Sequence, residues 1–102
     1  MATISIRRND NGMIYYDPPA LTLGAGDFVV WANKDPQAAH QPTLQGKPAD
    51  WWMTDQLPSY VDGQPAATSP AINLVGPNGP TGATITYVDG LDPDGASGTI
   101  KI

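Results

Sequence analysis

A chain of 102 residues suits one domain, and ten acidic against five basic side chains, a formal net charge of −5, argue against nucleic acid, which selects clustered Lys and Arg. No cysteine is present, which excludes disulfides, thiolate ligands and cysteine nucleophiles. No apolar run approaches the roughly 20 residues of a membrane helix; no signal peptide is visible, although Met1-Ala2 would equally open a mature domain stripped of its leader.

All ten acids are Asp, a turn and cap former, and 11 Gly and 11 Pro add to a composition of strands and turns. Thr3-Ile4-Ser5-Ile6-Arg7 alternates with period two and reads as a half-buried strand, with the Arg7-Arg8 pair at its end rather than in a binding patch. Asn9-Asp10-Asn11-Gly12 is a turn, and Met13-Ile14-Tyr15-Tyr16 resumes the extended chain until Pro18-Pro19 breaks it. Ala20 to Leu23 is a short alternating strand, Gly24 to Asp27 turns, and Phe28 to Asn33 is the most apolar strand, expected at the centre of a sheet.

Residues 45 to 70 form a Pro-rich excursion, long enough to be functional or disordered, with at most a short helix or strand near Trp51. Ala71 to Val75 is extended, Gly76 to Pro80 turns, Ala83 to Val88 alternates cleanly, and Gly98 to Ile102 closes the chain. Six to eight short strands with turn punctuation, no repeat and no internal boundary predict one all-β domain over 1–102, a Greek-key sandwich. Alternation assigns Ile4, Ile6, Leu21, Leu23, Val30, Ile85, Tyr87 and Ile100 to its core.

Four features carry candidate chemistry. His40, the sole histidine, reads as a metal ligand or a pH-sensing contact, or more plainly as a loop or core histidine bonded to backbone. Asp89-Gly90-Leu91-Asp92-Pro93-Asp94-Gly95 offers oxygens to Ca²⁺, yet the chain lacks the Glu that closes an EF-hand loop, and Asp-Gly and Asp-Pro are ordinary turn formers. Trp51-Trp52-Met53 is a candidate interaction surface, because adjacent residues of an extended segment point opposite ways. The plainer reading anchors one Trp on the sandwich. The serines lack a Gly-x-Ser-x-Gly elbow, no zinc-ligand spacing is present, and Asp92 and Asp94 sit on a turn where nothing would raise a carboxyl pKa, so an enzyme is not expected.

In order and spacing the chain resembles the cupredoxins, the plastocyanin and pseudoazurin family. One half of the resemblance runs through Pro18 or Pro19, Leu21, Leu23, Gly26-Asp27, Val30, Trp31 and Asn33 to His40, which matches the first copper-binding histidine. In the other half, Tyr87 and Gly98 match the positions that flank the family's Cys, His and Met loop without a gap. The resemblance covers roughly two-thirds of the chain and omits the excursion. It implies a cupredoxin-like Greek-key sandwich of seven to eight strands, a periplasmic or extracellular compartment, and remnant copper-site positions at His40, Val88, Leu91 and Ala96.

A blue-copper site needs two imidazoles, a thiolate and a weak thioether. Val88, Leu91 and Ala96 supply none of these, so an apolar plug is expected beside His40. The expected function is a copper-free binding or structural module without cofactor, as in the ephrins and early-nodulin-like proteins of this fold. A protein partner or self-association is left open, with Leu91, Trp51, Trp52 and Met53 as its surface. The alternatives are a non-blue copper-handling protein using His40 with Met13, Met53 or Asp oxygens, and a calcium-supported extracellular module using Asp89–Asp94.

Overall fold

The computed structural model describes residues 2–24, 27–45, 56–71 and 84–101. The described residues form eight strands: β1 (Ala2–Arg8), β2 (Ile14–Asp17), β3 (Ala20–Thr22), β4 (Val29–Asn33), β5 (Pro42–Gln45), β6 (Ala67–Thr68), β7 (Thr84–Asp89) and β8 (Asp92–Lys101), of which β5, β6 and the start of β8 fall where no strand was expected. They form two four-stranded sheets, ordered β2-β1-β4-β6 and β3-β8-β7-β5. Both sheets are mixed. β1 runs parallel to β4 and β3 parallel to β8, while the remaining pairings are antiparallel.

The turn residues do what their chemistry predicts. Gly12 takes a positive φ of 79° in the Asn9–Gly12 turn, a conformation that costs glycine little. Asn9 Oδ1 accepts the amides of Asn11 and Met13 and closes that turn. Pro18-Pro19 lies where the chain leaves the first sheet at β2 and enters the second at β3, with a cis bond between Asp17 and Pro18.

The core lies between the sheets. Ile4, Ile6, Tyr16, Val29 and Trp31 come from one sheet and Leu44, Tyr87 and Ile100 from the other, with Leu23 and Leu57 closing from the connections. Of the expected core, Ile4, Ile6, Leu23, Tyr87 and Ile100 are buried, and Leu21 and Ile85 pack partly buried against them. Val30 is a correction: it is half-buried, and Val29 and Trp31 hold the core face. The parallel register explains this, since Ile4 lies beside Trp31 and Ile6 beside Asn33, which commits the odd-numbered side of β4 to the interior.

Tyr87 and Gly98, matched in the sequence as flanking positions, are cross-strand partners on β7 and β8. A Cβ at Gly98 would run into the ring and hydroxyl of Tyr87. Glycine there lets the ring lie flat across the neighbouring strand, where it meets Tyr16 and Trp31 edge-on at centroid distances of 4.8 and 5.3 Å.

The excursion of residues 45 to 70 is partly described. Leu57 forms an isolated bridge with His40, and Ala67–Thr68 adds the edge strand β6. Trp51, Trp52, Met53 and the segment 72–75 lie outside the described residues.

Candidate functional site

Three connections converge at one end of the sandwich: the β1–β2 turn, the segment from Asn33 to Gln41, and the β7–β8 turn. The organising residue is Asn33, the last of β4 and fully buried. Its Oδ1 accepts the amide of Asp35 at 2.9 Å. Its Nδ2 donates to the carbonyls of Leu57 at 2.9 Å, Pro58 at 3.0 Å and Ala38 at 3.1 Å. Asp35 repeats the motif, accepting the amide of Gln37 on Oδ1. These two side-chain-closed turns fold the segment inward and present the Asp35 carboxylate to the interior.

Asp35 is the centre of an ionic chain. Arg8, at the end of β1, donates from Nε to Oδ1 at 2.9 Å and from a terminal nitrogen to Oδ2 at 2.8 Å, a two-pronged contact. Its other terminal nitrogen donates to the carbonyl of Gly12 at 2.7 Å. His40 Nε2 lies 2.6 Å from Asp35 Oδ2, and His40 Nδ1 lies 2.5 Å from Asp89 Oδ2. The other oxygen of Asp89 accepts the amides of Gln41 at 2.9 Å and Leu91 at 3.0 Å. Arg8, Asp35, His40 and Asp89 thus tie together strands of both sheets and the loop between them.

Burial disfavours the charge on Asp35, but the Arg8 guanidinium, the Gln37 amide and His40 outweigh it and hold the carboxyl low, at about 2. Asp35 is therefore anionic and accepts from Nε2. One proton then lies between Nδ1 and Asp89, whichever of the two bears it.

The residues present do not fit a blue-copper ion. The chain has no thiol, and both ring nitrogens of His40 face carboxylate oxygens at hydrogen-bond distance. In place of the expected apolar plug stands a buried, fully partnered ionic chain. An apolar plug would leave Asp35 and His40 without partners, a costly state for buried polar groups.

Of the four remnant positions, His40, Leu91 and Ala96 line one cavity of about 610 Å³, together with Met13, Asp89 and Asp92. Val88 is buried and pairs with Ser97, and the side chain that reaches His40 from this hairpin is Asp89, one residue later. Ala96 is half-buried against the core, while Leu91 is 46% exposed. In the Asp89–Asp94 loop, the oxygens of Asp89 are committed to His40 and two amides. Asp92 is exposed, and the side chain of Asp94 lies outside the described residues.

Sequence reasoning missed Arg8, Asp35 and Asp89 as partners of His40. The one local signal is Asn33-Lys34-Asp35-Pro36, two Asx residues two apart at a strand end, which announces a turn but not a buried charge.

No protein-family model matches the chain, and no curated protein matches it. Solved structures do. A purple cupredoxin from Nitrosopumilus maritimus is similar over 99% of this chain and 98% of that one, with a TM-score of 0.65 and 16% identity. An amicyanin mutant in its reduced state is similar over 97% of this chain and 80% of that one, with a TM-score of 0.58 and 14% identity. The fold is cupredoxin-like, and this example of it has no cysteine to complete a blue-copper site. Among the described residues no helix is long and apolar enough to cross a membrane.

Proposed function

We propose that this chain is a copper-free, non-catalytic binding module on a cupredoxin-like fold, and that it recognises a protein partner through the end where Leu91 and Met13 are exposed. One observation carries the reading: His40 has both ring nitrogens engaged by carboxylates, so the end of the fold suited to a metal holds a structural tie instead. With both nitrogens engaged, His40 would have to give up a carboxylate partner before it could bind a metal or take a substrate proton. This also weighs against the non-blue copper alternative, in which a cation would have to displace Asp89 or Asp35. The calcium alternative would have to release Asp89 from two amides and His40.

The surface reading rests on exposure. Met13 is 64% and Leu91 46% exposed beside one cavity, and exposed apolar side chains gathered at one hollow mark a candidate interaction surface. Trp51, Trp52 and Met53 remain the second candidate surface. The cupredoxin-like fold supports a periplasmic or extracellular location for the module.

Two measurements test this. Titration with Cu²⁺ is expected to yield no intense visible absorption band, because that band needs a thiolate ligand. Tight stoichiometric copper binding would favour the copper-handling alternative. Separately, Leu91→Asp is expected to remain folded and lose partners captured by the parent. A folded variant that keeps every partner would move the surface elsewhere.

A further inference from the structure

The cavity beside His40 is open, and its charges are unequal. Asp35 is neutralised by the two-pronged contact of Arg8, and Asp89 faces His40 and two amides. Asp92, on the same cavity wall, has no side-chain hydrogen bond or ion pair among the described residues; its carboxylate lies over Gly95, where a Cβ would meet Oδ2 at 2.7 Å. Among the described residues every other charge lining the cavity has a partner, so the uncompensated charge among them is negative. It adds to a chain whose formal net charge is −5.

The apolar part of the lining is asymmetric too. Ile14 and Ala96 form the half-buried floor, while Met13 and Leu91 stand outward at the rim. Outward rim residues are not covered by a small ligand seated in the cavity. They are covered by something broader that sends one group inward. A second copy of this chain is disfavoured, since it would bring a like charge against Asp92.

Resting on the binding-module reading above, we propose that the partner is a protein presenting a Lys or Arg flanked by apolar residues. The cation enters the cavity beside Asp92, and its neighbours cover Met13 and Leu91. Such a side chain suits the site because its aliphatic stem can lie along Met13, Ile14 and Leu91 while the charged head reaches the carboxylate. Long-range attraction to an acidic chain would also speed the encounter at low salt.

The test uses the isotope-labelled full chain and three capped hexapeptides, followed by amide chemical shifts at low salt. The first is Gly-Leu-Lys-Leu-Lys-Gly; the second has Glu for each Lys, and the third has Ser for each Leu. The lysine–leucine peptide is expected to shift the amides of Met13, Leu91, Asp92 and Gly95. The glutamate peptide should not bind, and the serine peptide should bind more weakly than the first. Asp92→Asn should weaken the lysine–leucine peptide roughly two- to fivefold without changing the melting temperature, as expected of a rim charge pair.

Equal binding of the Lys and Glu peptides, or preference for Glu at the same amides, would overturn the cationic partner while leaving the surface standing. Shifts confined to another face would overturn both. No binding by any peptide at millimolar concentration would overturn the proposal, as would concentration-dependent shifts of these amides without peptide, which would identify a second copy as the occupant.

Discussion

The middle of the sandwich and its His40 end are both buried, yet they are held by different physics. In the middle, Trp31, Tyr87, Ile4, Ile6 and Ile100 are joined by contacts that are non-directional and many. At the end, four side chains make a linear series of directed contacts, each partner specified by the last. The middle can lose a contact and repack. The end cannot, because removing one member leaves the next buried without its partner.

The comparison predicts a graded set of effects. Trp31→Ala should be the most damaging, costing about 3–5 kcal/mol, because it opens a large cavity against Tyr87 in the fully buried core. Chemical denaturation measures this, and a cost near zero would mean that the middle is not the principal source of stability. Asp35→Asn conserves shape but removes the anion between Arg8 and His40; about 3 kcal/mol should be lost, the usual cost of breaking a buried pair on one side. A loss below about 0.5 kcal/mol would show the ionic series to be incidental.

Acid supplies a third measurement. The Asp35 carboxyl titrates at about 2 in the fold and near 3.9 in the unfolded chain, so its stabilising contribution is complete above pH of about 4. It is lost as pH falls through about 2, a change on the order of 2 kcal/mol. In Asp35→Asn this part of the acid dependence should vanish, and melting curves across that range distinguish the two chains. Leu91→Asp should give the smallest effect, within about 0.5 kcal/mol, because the side chain is exposed and lies outside the buried core cluster. A large loss there would mean that the β7–β8 turn needs its apolar tip to fold.

Much of the middle was legible in the sequence because a strand signals itself locally. Thr3 to Arg7 alternates, Asn11-Gly12 turns, Pro18-Pro19 marks the crossing between sheets, and the Tyr87 and Gly98 matches turned out to face each other. The exception was which side of β4 faces inward. Phe28 to Asn33 is apolar nearly throughout, so period two alone cannot choose between Val30 and its neighbours Val29 and Trp31.

The sequence by itself determined an all-β domain without a thiol, and therefore without a blue-copper site. That much follows from composition and local pattern. Only the tertiary structure decided what stands beside His40. Arg8 and Asp35 are 27 residues apart, and His40 and Asp89 are 49 apart, separations at which no periodicity connects charges. The register irregularity between Val88 and Asp89 decided the rest. Strict alternation would put consecutive residues on opposite faces, but the irregularity re-aims the strand end, so that Val88 and Asp89 are both buried and the carboxylate meets the imidazole.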